Sequence, residues 1–152
     1  MHHTKKDREI VILLADDDPD DVLLTKDAIE ESKLSCVIKV VEDGEEALDY
    51  LHNRKDFQGE AVYNPKPDLI LLDLNMPRMD GREVLRHLKT DDKLKSIPVV
   101  VLTTSKQHED IVETYNLGSN SFITKPIKYE ELVKTMKMIG EYWFKTVELP
   151  AA

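Results

Sequence analysis

The stretch LLADDDPDD (residues 13–21) sets five carboxylates, Asp16, Asp17, Asp18, Asp20 and Asp21, side by side with no basic residue among them. Like charges ~4 Å apart repel by about 4 kcal/mol at an effective dielectric of ~20, so a cluster of this kind implies a cationic partner. A further carboxylate, Asp73, ends the apolar run LILL and precedes LNMP, where a phosphorus atom could approach it in line. Placed there it is a candidate nucleophile: attack on a phosphoryl group gives an aspartyl phosphate, a transfer catalysed mainly by positioning and charge neutralisation. Asp16, Asp17 and Asp73 together would make a hard, oxygen-only pocket suited to Mg2+, which keeps several waters and also takes phosphate oxygens. Lys125, in TKP, would supply a second cation, and the Thr103 hydroxyl, in VLTTS, would donate to a phosphoryl oxygen.

These groups lie far apart in sequence, and the fold must bring them together. IVILLA (10–15), CVIKVV (36–41), DLILLDL (68–74), IPVVVLTT (97–104) and SFIT (121–124) are apolar runs of strand length, too continuous for one-faced strands. They predict strands buried on both faces. Between them the apolar spacing predicts helices over 19–33, with Val22, Thr25 and Ile29 on one face, and over 44–52, 81–89, 107–117 and 128–144. Asp18-Pro19, Asp43-Gly44 and Asp80-Gly81 mark three helix starts by their capping carboxylates. Asp18, Asp20 and Asp21 are therefore read as a cap and first-turn charges favoured by the helix dipole, not as site residues. Alternation of this kind implies an α/β fold, a doubly wound parallel sheet with helices on both faces. Ligand sites in such sheets lie at the carboxyl ends of the strands, where Asp16, Asp17, Asp73, Thr103, Thr104 and Lys125 would share one rim. Glu42-Asp43, at the end of the second strand, is accounted for by the helix that starts there.

Composition narrows the class. The length of 152 residues is that of one domain, and a net charge of -9 leaves no basic surface for a phosphate backbone, which argues against nucleic acid. A single cysteine, Cys36, permits no internal disulfide, and no stretch has the length of a membrane span or the layout of a signal peptide. The chain reads as soluble and cytoplasmic, with neither nucleic acid nor membrane as partner. Residues 1–8 read as a disordered N-terminus, and the adjacent His2 and His3 are given no function. Residues 52–67 are polar and carry Gly59, Pro65 and Pro67, as a surface loop would.

The segments ILLADDDPDD, DGEEAL, PDLILLDLNMPRMDGREVL, IPVVVLTTS and FITKPI resemble, in order and spacing, the receiver domain of bacterial-type response regulators. The resemblance implies a flavodoxin-like, five-stranded parallel sheet of strand order 2-1-3-4-5, with the domain over 9–145 and a tail over 146–152. It implies Asp73 as phosphoacceptor, Asp16 and Asp17 as the acidic pocket, and Mg2+ ligation by Asp17, Asp73 and the backbone carbonyl of Asn75. Thr103, Phe122 and Lys125 match the family's switch hydroxyl, switch aromatic and lysine. Phe122 lacks the hydroxyl that Tyr brings in many relatives, so a hydrogen bond from that position is ruled out. Asn75 and Ser105 lie where an attacking water would pass and are read as tuning the lifetime of the phosphorylated form; Ser105 also reads as a cap for the next helix.

Leu132, Met136, Ile139 and Trp143 recur at steps of three and four, as the packed face of the last helix would. Tyr142, Phe144, Val147 and Leu149 fall outside that stripe and read as an interaction surface. The 52–67 loop and the EYWFKTVELP ending resemble a subgroup of single-domain regulators that includes those paired with bacterial phytochromes. This implies a homodimer through the last helix and tail, and a sensor histidine kinase, a bacterial phytochrome among the candidates, as phosphodonor. The expectation is a stand-alone phosphoacceptor switch that assists its own phosphorylation and dephosphorylation, is not otherwise an enzyme, and signals by protein contact. One alternative is an unphosphorylated protein-binding scaffold, which would be expected to lack part of the site. Another is a phosphatase with an aspartyl-phosphate intermediate, which wants a second Asp two residues after the nucleophile, where Asn75 stands.

Overall fold

The computed structural model describes residues 9–52, 65–103, 121–124 and 128–141, with Thr103 and residues 121–124 described through their backbone. The runs rich in Val and Ile form strands because branched side chains pack well on a pleated surface and lose rotamer freedom in a helix. They are β1 (Ile10–Ala15), β2 (Cys36–Val41), β3 (Leu69–Asp73), β4 (Val99–Thr103) and β5 (Ser121–Thr124). The described helices are α1 (Pro19–Glu31), α2 (Gly44–Leu51), α3 (Gly81–Thr90) and α4 (Tyr129–Ile139). The N-terminus 1–8, residues 53–64 of the polar connection, the expected helix over 107–117 and everything beyond 141 lie outside the described residues.

Every strand pairing is parallel and the sheet order is β2-β1-β3-β4-β5, the doubly wound arrangement expected. Successive side chains of a strand point to opposite faces, so each buried strand feeds two cores. Leu13, Ala15, Ile70, Leu72, Val99 and Val101 pack with Ala47, Leu48 and Leu51 of α2 and Val84, Leu85 and Leu88 of α3. Ile12, Leu14, Leu69, Leu71, Val100 and Leu102 pack on the other face with Ala28 and Ile29 of α1 and Leu132, Val133, Met136 and Ile139 of α4. Tyr129 ties the two helices of that second face, its hydroxyl donating to the Asp27 carbonyl at 3.2 Å.

The expectation of strands buried on both faces holds for β1 and β3 and fails for β2, where Val41 alone is buried and Lys39 is exposed. The reason is topological: β2 is an edge strand with β1 as its one partner. Two strands are also shorter than their apolar runs. β3 starts at Leu69 because Asp68 uses its side chain, Oδ2 accepting from the Val11 N–H at 2.9 Å, while its own N–H donates to the Val11 carbonyl at 2.7 Å. β4 starts at Val99 because Pro98 has no N–H for the ladder, although its carbonyl still accepts from Ile70 at 3.0 Å. α1 stops at Glu31, two residues short of expectation, because Lys33 turns the chain into the left-handed region at φ 62°.

The three marked helix starts are capped as the sequence indicates. Asp18 accepts from the Asp20 N–H, Asp43 from the Glu46 N–H, and Asp80 from the N–H groups of Arg82 and Glu83. At α3 the cap is followed by a close approach: the Gly81 N–H donates to the Leu74 carbonyl at 3.0 Å. A Cβ on Gly81 would run into the Asp73 carbonyl oxygen and stand 2.8 Å from the Leu74 Cα, both backbone atoms that cannot swing aside. Helix propensity alone makes Gly81→Ala stabilising by about 1 kcal/mol. The contact reverses the sign, and we expect Gly81→Ala to lose about 1–3 kcal/mol, a cost of the size set by overpacking. Urea denaturation of the two proteins checks it.

Candidate functional site

β1 and β3 are neighbours in parallel register, with Ala15 beside Leu72. The residues that follow, Asp16 and Asp73, therefore leave adjacent strands at the same level. Both are buried, 1% and 6% exposed, while Asp17 turns outward to solvent. One carboxylate oxygen from each of Asp16, Asp17 and Asp73 lies within 4.8 Å of the others. Backbone N–H groups help to hold the two buried carboxylates. Asp16 Oδ1 accepts from the Asp18 N–H at 3.0 Å, and Asp73 Oδ1 accepts from the Asn75 N–H at 3.1 Å. The backbone beneath them is fixed too, the Asp16 N–H donating to Val41 and the Leu74 N–H to Leu102.

The donor set fits a hard divalent ion. Ligands on opposite sides of an octahedral Mg2+ stand about 4.2 Å apart, twice a bond of about 2.1 Å, so small side-chain movements would close the three carboxylates on one ion. With Asp17 exposed, a bound ion would remain open to water or to the oxygens of a phosphoryl group.

The sheet register also places the backbone of Thr103 at that rim. Asp73 is level with Leu102, so Thr103 stands one step beyond it at the end of β4, and Thr103 is level with Thr124 of β5. Phe122 lies on β5 beside Val101. The side chains of Thr103 and Phe122, together with Ser105, Lys125, Trp143 and the apolar group Tyr142, Phe144, Val147 and Leu149, lie outside the described residues. Asn75 is exposed, directly after the acidic pair of strands. Glu42 and Asp43 play the structural part expected of them: Asp43 Oδ1 accepts from the Glu46 N–H at 2.8 Å and Glu46 Oε1 from the Glu42 N–H at 3.0 Å, a reciprocal cap of α2.

The rim is shallow. A cavity of about 470 Å³ lies elsewhere, beside the end of α2 and the segments leading into β3 and β4, lined by Tyr50, Pro65, Asp92 and Leu94 among others. Thiol chemistry is disfavoured at Cys36, because burial, with Glu9 adding to it, pushes its pKa up.

Sequence reasoning missed Arg78. It sits in the loop between β3 and α3 at φ 65°, with Nε 3.7 Å from Asp43 Oδ2 and a terminal nitrogen 3.7 Å from Glu45 Oε2. The available signal is Pro77, which favours the first corner of a turn whose second corner can require positive φ. A glycine there would announce the turn; an arginine does not.

Asp18 and Asp17 are adjacent and separable by experiment. Asp18→Ala removes the α1 cap and is expected to lower stability by about 1 kcal/mol in metal-free buffer. Its gain in stability on adding millimolar Mg2+ should equal the parent's. Asp17→Ala should keep the cap and lose most of that gain. Chemical denaturation of the three proteins with chelator and with Mg2+ reads both effects.

Known proteins agree with the arrangement. Residues 12–137 match the response regulator receiver domain family. The response regulator Rcp1 of Synechocystis sp. is 42% identical over 142 residues, covering 93% of this chain and 94% of that protein. The crystal structure of the phosphorylated cyanobacterial phytochrome response regulator RcpA superposes with a TM-score of 0.81 at 40% identity, covering 95% of this chain and 100% of the other. The Mn2+-bound form of Rcp1 superposes with a TM-score of 0.79 at 39% identity over 93% of this chain and 99% of that one. With acidic strand ends, sheet order and family match in agreement over most of its length, the chain belongs to the response regulator receiver domain family.

Proposed function

We propose that the protein is a stand-alone phosphoacceptor switch: Asp73 takes a phosphoryl group from a phosphohistidine of a sensor histidine kinase, with Mg2+ bound, and the phosphorylated form is read by a protein partner. The observation that carries this reading is the convergence of Asp16, Asp17 and Asp73 at one rim. In the transfer, a carboxylate oxygen of ionised Asp73 forms a bond to phosphorus while the phosphorus–nitrogen bond to imidazole breaks, and the histidine leaves with that electron pair. The Asn75 N–H on Asp73 Oδ1 orients the carboxylate for the approach. Asp16 and Asp17, with Asp73 and the Asn75 carbonyl, would hold the cation, which when bound neutralises the phosphoryl oxygens. A structure of the relative Rcp1 holds Mn2+ and one of RcpA is phosphorylated, which supports both parts of the reading.

Lys125, directly after β5, would pair with the new phosphate, Thr103 would donate to it, and Phe122 would repack in response. Asn75 and Ser105 would set how readily water removes it. The phytochrome assignment of RcpA supports a kinase of that kind upstream. Tyr142, Phe144, Val147 and Leu149, past the end of α4, would bury themselves across a two-fold axis in a homodimer, the commonest closed assembly. Among the described residues no helix is long and apolar enough to cross a membrane, in keeping with a cytoplasmic switch.

Incubation with a small phosphodonor and Mg2+ should add one phosphoryl group per chain, located at Asp73 by borohydride trapping and peptide mapping. Uptake at the parent rate by Asp73→Asn would contradict the assignment. Light scattering of the same samples, full length and ending at Gly140, should show a dimer that becomes a monomer on truncation. A full-length chain that stays monomeric at high micromolar concentration, phosphorylated or not, would remove the dimer.

A further inference from the structure

The loop from Leu74 to Asp80 carries the Asn75 carbonyl, and it is tied down at three points. At its start the Asn75 N–H donates to Asp73 Oδ1 at 3.1 Å. At its end the Gly81 N–H donates to the Leu74 carbonyl at 3.0 Å. At its tip it leans on the start of α2. There the Gly44 N–H donates to the Met79 carbonyl at 3.1 Å, and a Cβ on Gly44 would stand 2.7 Å from the Met79 Cβ, so the two segments are in contact with no room between them.

Arg78 makes the remaining link at that tip. Its guanidinium lies 3.7 Å from Asp43 Oδ2 and 3.7 Å from Glu45 Oε2, bridging the cap of α2 and its first turn. The Asp43 side chain is 7% exposed, so one end of the bridge is shielded from solvent although the Arg78 side chain is 65% exposed. The backbone pays for the link: φ at Arg78 is 65°, a region glycine enters freely and arginine does not. A residue that strains the chain there, with its own side chain mostly in solvent, does little for global stability through its ion pairs. What it can do is fix where the loop sits.

We propose that Arg78 is a positioning residue for the cation site: by pairing with Asp43 and Glu45 it holds the loop from Leu74 to Asp80, and through it the Asn75 carbonyl, in the place that binding requires. This inference rests on the metal-binding reading of Asp16, Asp17, Asp73 and Asn75. It makes the start of α2 part of the site.

The sign of one measurement separates positioning from plain charge. Taking a positive charge away from the neighbourhood of an acidic cation site should tighten cation binding if charge acts only through space. Positioning predicts the reverse. Calorimetric titration of the full chain with Mn2+ should show Arg78→Gln binding about 10-fold more weakly than the parent, the low end of what loss of an outer-shell contact costs a metal site. Arg78→Gly, which relieves the backbone, should be at least as stable as the parent in chelator and still bind more weakly. Arg78→Lys should recover part of the loss. Equal or tighter Mn2+ binding by Arg78→Gln, in a parent that binds, would overturn the inference alone. A parent that binds no Mn2+ would overturn the metal-site reading, and this inference with it.

Discussion

Two parallel neighbours, β1 and β3, run in register and both end in carboxylates, and that coincidence is what the rest of the structure is arranged around. Asp16 and Asp73 are buried side by side, with the exposed Asp17 close enough to make a third like charge in the same space. Water screens such charges poorly once they are buried. A backbone N–H, from Asp18 and from Asn75, meets one oxygen of each buried carboxylate and helps to set its direction.

Among the described residues, the loop after β3 and the helix starts serve that fixation. Above β3 the chain turns back on itself so tightly that Gly81 meets the Asp73 carbonyl, and the tip of the same loop rests on Gly44 at the start of α2. Asp18, Asp43 and Asp80 cap α1, α2 and α3 and so set where three helices begin relative to the strand ends they follow. Below the rim, alternate side chains of β1, β3 and β4 interlock with helices on both faces, which stops the strands sliding in register. A slip of one residue would turn every one of these side chains to the opposite face and separate Asp16 from Asp73.

Much of this was legible in the sequence, for definite reasons. β1, β2 and β5 have the bounds their apolar runs suggest, because turn and cap residues interrupt the apolar pattern sharply. The strand ends identified Asp16, Asp17 and Asp73, since a charge that directly follows an apolar run is carried to the edge of the core, where burial is costly without a partner. What was not legible depends on contacts between distant segments. The exposure of β2 follows from its edge position, which the residues of CVIKVV do not encode. Asp68 reads as the first residue of a strand and proves to be a side-chain partner for Val11, 57 positions away. Nothing in the sequence beyond Pro77 marks Arg78, whose link to Asp43 and Glu45 exists only once the loop has folded onto α2.

The central claim is that Asp16, Asp17 and Asp73 hold one cation together, and Asp16→Asn tests it directly. Asparagine keeps the shape and an oxygen to accept from the Asp18 N–H while removing one carboxylate ligand. Urea unfolding of the two proteins in chelator and then in saturating Mg2+ reads what each gains from the ion. The parent should gain clearly more than Asp16→Asn, since binding adds RT ln(1 + [L]/Kd) to the protein that binds more tightly. An Asp16→Asn protein that gains as much from Mg2+ as the parent, or a parent that gains nothing, would contradict the account.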